Sequence, residues 1–69
     1  MGTTSGQRVG LAIVRVWLED DHPAPLRARV TTIEHIAEPG AAAVEWSGNE
    51  VEAVLVHLQS WLDHWLAES

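Results

Sequence analysis

From Val51 to Leu66 the apolar residues Val51, Val54, Leu55, Leu58, Trp61, Leu62 and Trp65 return at three- and four-residue steps. That spacing puts them on one stripe of an amphipathic helix. A lone helix of this length is marginal in water and would leave its stripe wet. The residues before it must therefore supply the cover. Helix entry is signalled twice, because Ser47 with Glu50 and Asn49 with Glu52 both have capping-box spacing. Glu50 and Glu52 also suit the positive end of the helix dipole.

The upstream residues read as strands. Val9 to Glu19 is rich in β-branched residues, with Ala12, Val14, Val16 and Leu18 at even positions and Leu11, Ile13, Arg15, Trp17 and Glu19 at odd ones. Asp20 to Pro25 holds two prolines and an acidic pair, which is turn chemistry. Leu26 to Ile36 follows as a second strand, with Ala28 and Val30 on one face and Arg27, Arg29 and Thr31 on the other. Its alternation weakens at Thr31 to Ile33, where a bulge would restore it. Glu38 to Gly40 is a tight connection, and Ala41 to Trp46 a shorter third strand. Short connections favour antiparallel neighbours. The expected fold is α+β, a three-stranded antiparallel meander with one C-terminal helix packed on one face (β-β-β-α). Residues 1–7 are expected to be a flexible tail and residues 8–69 a single domain.

One helix covers one face of a sheet. If Ala12, Val14, Val16, Ala28, Val30, Val44 and Trp46 satisfy the helix stripe, Leu11, Ile13, Trp17 and Ile33 are left on the open face beside arginines. A half-solvated antiparallel sheet normally shows polar residues there. Exposed apolar patches of this kind mark interaction surfaces. A 69-residue chain also builds only a small core, and with no cysteine it has no disulfide to reinforce it. A partner subunit is the natural extra source of buried area.

Charge and motifs narrow the function classes. Ten acidic residues against four arginines give a formal charge of −6, which opposes non-specific nucleic-acid binding. The start is too polar for a signal peptide, and the apolar run Val9 to Leu18 is too short to span a bilayer. A cytoplasmic location without membrane contact is expected. No cofactor is implied, since there is no phosphate-binding glycine loop, GxSxG elbow or cysteine nucleophile. Ser60 and His64 are four apart on the helix with Asp63 nearby, but no oxyanion-hole candidate accompanies them. His57 and His64 are seven apart, too far to share one ion, where metal-binding helices use three or four. No catalytic or metal site is expected, and His22, His35, His57 and His64 read as surface or rim residues.

The four tryptophans divide into two kinds. Trp46 and Trp65 suit the core. Trp17 is out of phase with the more apolar face of its strand, and Trp61 sits at the edge of the helical stripe. Both of these suit an interface. Arg15, Arg27 and Arg29 share the open face and could read carboxylates or phosphates, unless they pair with acids such as Glu19 or Glu45.

Ile13 to Glu19 (IVRVWLE), Leu26 to Val30 (LRARV), a turn and a C-terminal helix together resemble a group of small uncharacterised bacterial proteins with a V-R-I-W-x-E-like first strand. The order is more distantly similar to the β-β-β-α unit of HicB-type antitoxin domains. That second likeness implies a protein-binding, oligomer-forming module that neutralises a partner. The expected function is a non-enzymatic interaction or oligomerisation module, accessory or regulatory. It would bind a second copy or another protein through Leu11, Ile13, Arg15, Trp17, Arg27 and Arg29, helped by Trp61. The alternative is a HicB-like regulator or antitoxin that contacts nucleic acid through Arg15, Arg27 and Arg29.

Overall fold

The computed structural model describes residues 8–20 and 23–68. The expected tail, and two residues of the first turn, lie outside them. Among the described residues, strands β1 (Leu11–Leu18), β2 (Leu26–Ile33) and β3 (Val44–Gly48) precede the helix α1 (Val51–Ala67). The three strands form one sheet in the order β1-β2-β3, antiparallel throughout, which is the α+β meander expected from the sequence.

The β1–β2 register runs unbroken from Leu11 opposite Ile33 to Leu18 opposite Leu26. The bulge expected at Thr31 to Ile33 is therefore absent. Thr32 simply takes a core-facing position, where it is buried, and its hydroxyl donates to the Val44 carbonyl at 3.5 Å, a long bond. The second strand ends at Ile33, short of Ile36, and the third begins at Val44 and runs on to Gly48.

Neither expected capping box forms. Glu50 occupies the N-cap with extended backbone and makes no side-chain cap bond. Its carbonyl accepts the first helical bond, from Val54 N–H at 3.2 Å. Glu52 lies in the first turn, where its charge suits the dipole. The other end of the helix is better fastened. Arg8 Nη1 donates to the Trp65 carbonyl at 3.1 Å, and Arg8 Nη2 lies 4.0 Å from a Glu68 carboxylate oxygen. A cation on a carbonyl of the last turn complements the negative end of the dipole.

Among the described residues Ala28, Val30 and Val54 are the buried apolar ones, with the partly buried Trp46 and Leu58 packed against them. Val30 is fully enclosed, because β2 is the central strand and the helix lies over it. The helix stripe is not satisfied within the chain as expected. Leu55 and Leu62 stay exposed, and so do Val14 and Val16 on the strand face assigned to cover them. The helix is too narrow to roof both β2 and β1.

Burying one valine fully is worth about 1.5–3 kcal/mol, and truncating it adds a cavity term. Val30→Ala should lower the unfolding free energy by about 2–3 kcal/mol. Val44→Ala, at an exposed position of β3, should change it by less than about 1 kcal/mol. Urea unfolding followed by tryptophan fluorescence at one fixed protein concentration checks both.

Candidate functional site

The strand register fixes what each face of the sheet presents. On the face away from the helix, Leu11, Ile13, Arg15 and Trp17 of β1 stand opposite Ile33, Thr31, Arg29 and Arg27 of β2. Glu45 and Ser47 of β3 complete that face. Period-two alternation alone places them there.

Trp17 organises the polar end. Its indole N–H donates to Glu19 Oε2 at 3.0 Å. The Arg15 guanidinium lies 5.5 Å from the ring centroid and that of Arg29 lies 6.0 Å away. At an exposed site each such contact is worth about 0.5–1 kcal/mol. Arg27 Nη1 donates to the carbonyls of Ala24 and Leu26, each at 2.8 Å, which ties that arginine to the turn. The expected pairing with Glu19 and Glu45 does not form. Among the described residues Arg15, Arg27 and Arg29 have no carboxylate within 4 Å, and Glu19 is taken by Trp17. The structure thus gathers Leu11, Ile13, Arg15, Trp17, Arg27 and Arg29 on one face. Trp61 belongs elsewhere. It lies on α1, with its ring 6.4 Å from that of Trp65, on the other side of the sheet.

The helix crosses the sheet obliquely, and two contacts define the crossing. His57 stacks on Trp46 of β3, with centroids 4.5 Å apart and planes 9° apart. One helical stretch later Trp65 closes on Gly10, just before β1, and donates its indole N–H to the Glu34 carbonyl at 2.9 Å. The helix therefore starts over β3 and β2 and ends beside the start of β1. Its His57 side faces β3. Val51, Leu55, Leu62 and Leu66 lie roughly 80° round the axis from the core stripe, on the opposite flank, and all four are exposed.

β1 is left uncovered in proportion to its distance from that crossing. Val14 is 43% exposed, Val16 60% and Leu18 68%. On the other face Leu11 and Ile13 are 40% and 52% exposed. Sequence reading missed the helix-side half of this surface. The available signal was the excess of apolar residues in α1, where Leu55, Val56, Leu62 and Leu66 widen the stripe beyond what a small sheet covers.

The titratable groups gather differently from the expectation. Oxygens of Glu34 and Glu68 and a ring nitrogen of His64 lie within 4.8 Å of one another, all three residues exposed. His64 Nε2 is 3.2 Å from Glu68 and 4.0 Å from Glu34. Such a trio could in principle touch a divalent ion, yet Glu68 already faces Arg8. As an exposed contact it ties the helix end to the end of β2 for little energy. Ser60 and His64 are joined by no hydrogen bond among the described residues. His57 and Ser60 border an open depression of about 530 Å³ rather than an enclosed pocket. A second open groove of about 580 Å³ runs between the helix and residues 34–44. No described helix is long and apolar enough to cross a membrane.

No family model, curated protein or solved structure matches the chain.

A Cβ at Gly10 would stand 2.6 Å from Trp65 Nε1. Gly10→Ala should push the indole off the Glu34 carbonyl and cost about 1–3 kcal/mol. The accompanying readout is a red-shifted, more quenchable tryptophan emission, absent in Gly40→Ala, whose Cβ would meet open space although its positive φ adds local strain.

Proposed function

We propose that the chain is a non-enzymatic protein-interaction module, accessory or regulatory in role, that engages another polypeptide through the surface centred on β1. The observation that carries this reading is an eight-residue edge strand with large apolar side chains exposed on both faces. Soluble chains blunt long edge strands with charge, proline or short length, because a free edge is a template for pairing. β3 is such a blunted edge, with five residues that include Glu45, Ser47 and Gly48. β1 carries one charge, Arg15, in eight residues. The buried core is thin as well, so covering β1 would add stability that the chain alone lacks. The open-face set of Leu11, Ile13, Arg15, Trp17, Arg27 and Arg29 would form one side of the contact. Trp17, large and fixed by Glu19, would be its anchor. A cytoplasmic setting suits a cysteine-free chain of this kind.

Ile13→Lys and Trp17→Ala should each weaken association at least tenfold while leaving the circular dichroism spectrum unchanged. Light scattering after size exclusion, together with pull-down on tagged wild-type and variant chains, measures this. Wild type that stays monomeric at high micromolar concentration and captures the same proteins as both variants would end the reading.

A second reading is a HicB-like regulator or antitoxin that contacts nucleic acid. It is favoured by the gathering of Arg15, Arg27 and Arg29 on one face without carboxylate partners among the described residues. Three phosphate contacts would give a log affinity against log salt slope of about −2.7, and Arg15→Ala should reduce it by about 1. Fluorescence anisotropy with labelled duplex DNA and RNA tests it. Absence of binding even in about 20 mM salt, where screening is weak, removes it.

A further inference from the structure

The free edge of β1 can be read group by group. Glu19 N–H donates to the Pro25 carbonyl at 2.7 Å, in step with the register that pairs Leu18 with Leu26. Hydrogen-bonded and non-hydrogen-bonded pairs alternate along an antiparallel ladder. Leu11, Ile13, Arg15 and Trp17 therefore turn their backbone groups to β2. Ala12, Val14, Val16 and Leu18 turn theirs outward, and no described strand lies beyond them.

We infer that the occupant of this edge is a second copy of the chain, whose β1 pairs antiparallel with β1 about a two-fold axis at Val14. This inference rests on the interaction-module reading and deepens it. The product is a six-stranded sheet, β3-β2-β1-β1-β2-β3, with both helices on one face.

Three observations favour a second copy over an unrelated strand. The first is register. With Val14 on the axis, Val14 bonds to the second copy's Val14 and Ala12 to its Val16, so the outward-turned groups meet one another. Arg15 then stands opposite Ile13 and Trp17 opposite Leu11. A register centred on Arg15 would set two arginines directly opposite, which is destabilising. One centred on Val16 would run Ala12 past the end of the strand onto Asp20.

The second is shape. Exposure rises from Val14 to Leu18, because the helix crosses to the other end of β1, at Gly10. An antiparallel copy reverses that direction. It brings its own Gly10 opposite Leu18, and with it the exposed flank of its helix, Leu62 and Leu66. Each helix end thus lies toward the stretch of strand that the other chain's helix leaves bare. Val14, Val16, Leu18, Leu62 and Leu66 are each 43–68% exposed, and covering such side chains from both copies is how a stable interface reaches roughly 800 Å² per partner.

The third is availability. A core of Ala28, Val30 and Val54 leaves the chain short of buried surface whenever it folds. A second copy is present on every such occasion.

The chain contains no cysteine, so a single introduced thiol reports the axis cleanly. Opposed residues of a hydrogen-bonded pair have Cα atoms about 5.5 Å apart, within disulfide reach. Val14→Cys should be a dimer by light scattering. On mild oxidation it should run as a disulfide-linked dimer in most of the sample, and not when oxidised in about 6 M guanidinium, enough to unfold most domains. Val44→Cys, on the opposite edge, should not cross-link. Cross-linking through Val44→Cys alone would overturn pairing through β1 while leaving an interaction module that uses another surface. A folded wild-type monomer at high micromolar concentration overturns the homodimer. In that case loss of pull-down partners in Ile13→Lys keeps the broader reading, and unchanged capture removes that too.

Discussion

Trp65 closes on Gly10, a position without a side chain, and gives its indole N–H to the Glu34 carbonyl while Arg8 lies 4.6 Å from its ring centroid. This one seat fastens the far end of the helix to the start of β1 and the end of β2. The stack of His57 on Trp46 fastens the near end to β3. Two fixed points define a line, and the line crosses the sheet at an angle. Val30 falls beneath it and is enclosed. Leu18, at the corner farthest from it, is left bare. The distribution of wet apolar surface follows from where two aromatic side chains found room.

The cost of that arrangement is a small core. Among the described residues, three buried apolar side chains and a buried threonine are little for a chain that orders three strands and a helix. Many of the uncovered apolar residues run along β1 and the adjoining flank of the helix, while Ile36, Val44 and Val56 are exposed elsewhere. Under the proposed reading, a strand pairing with the eight-residue β1 edge would cover those along β1. β3 is shorter, with Glu45 and Ser47 beside an exposed Val44.

Charge acts on the other face. The chain carries a net −6, yet Arg15, Arg27 and Arg29 stand together around Trp17. Arg27 is committed to turn carbonyls, and the other two lie near the indole. The cluster thus has a structural role in shaping the strand ends, and it also offers a local positive surface on an acidic protein. Long-range repulsion from the rest of the chain sets the affinity that such a surface could have for phosphates.

The order of elements and the two faces of each strand were legible in the sequence, because periods of two and of three to four leave clear marks. Ala28 and Val30 stand where alternation put them, as do Arg15, Trp17, Arg27 and Arg29. Local chemistry was less decisive: two capping-box spacings occur in the sequence and neither box forms, and Thr32 faces inward where a bulge would have restored the apolar alternation. What the sequence determined by itself is which residues share a face. What only the tertiary structure decided is which of those residues are covered, since that depends on the crossing of the helix, set by the packing of Trp65 on Gly10 and His57 on Trp46. No periodicity encodes contacts fifty-five residues apart in the chain.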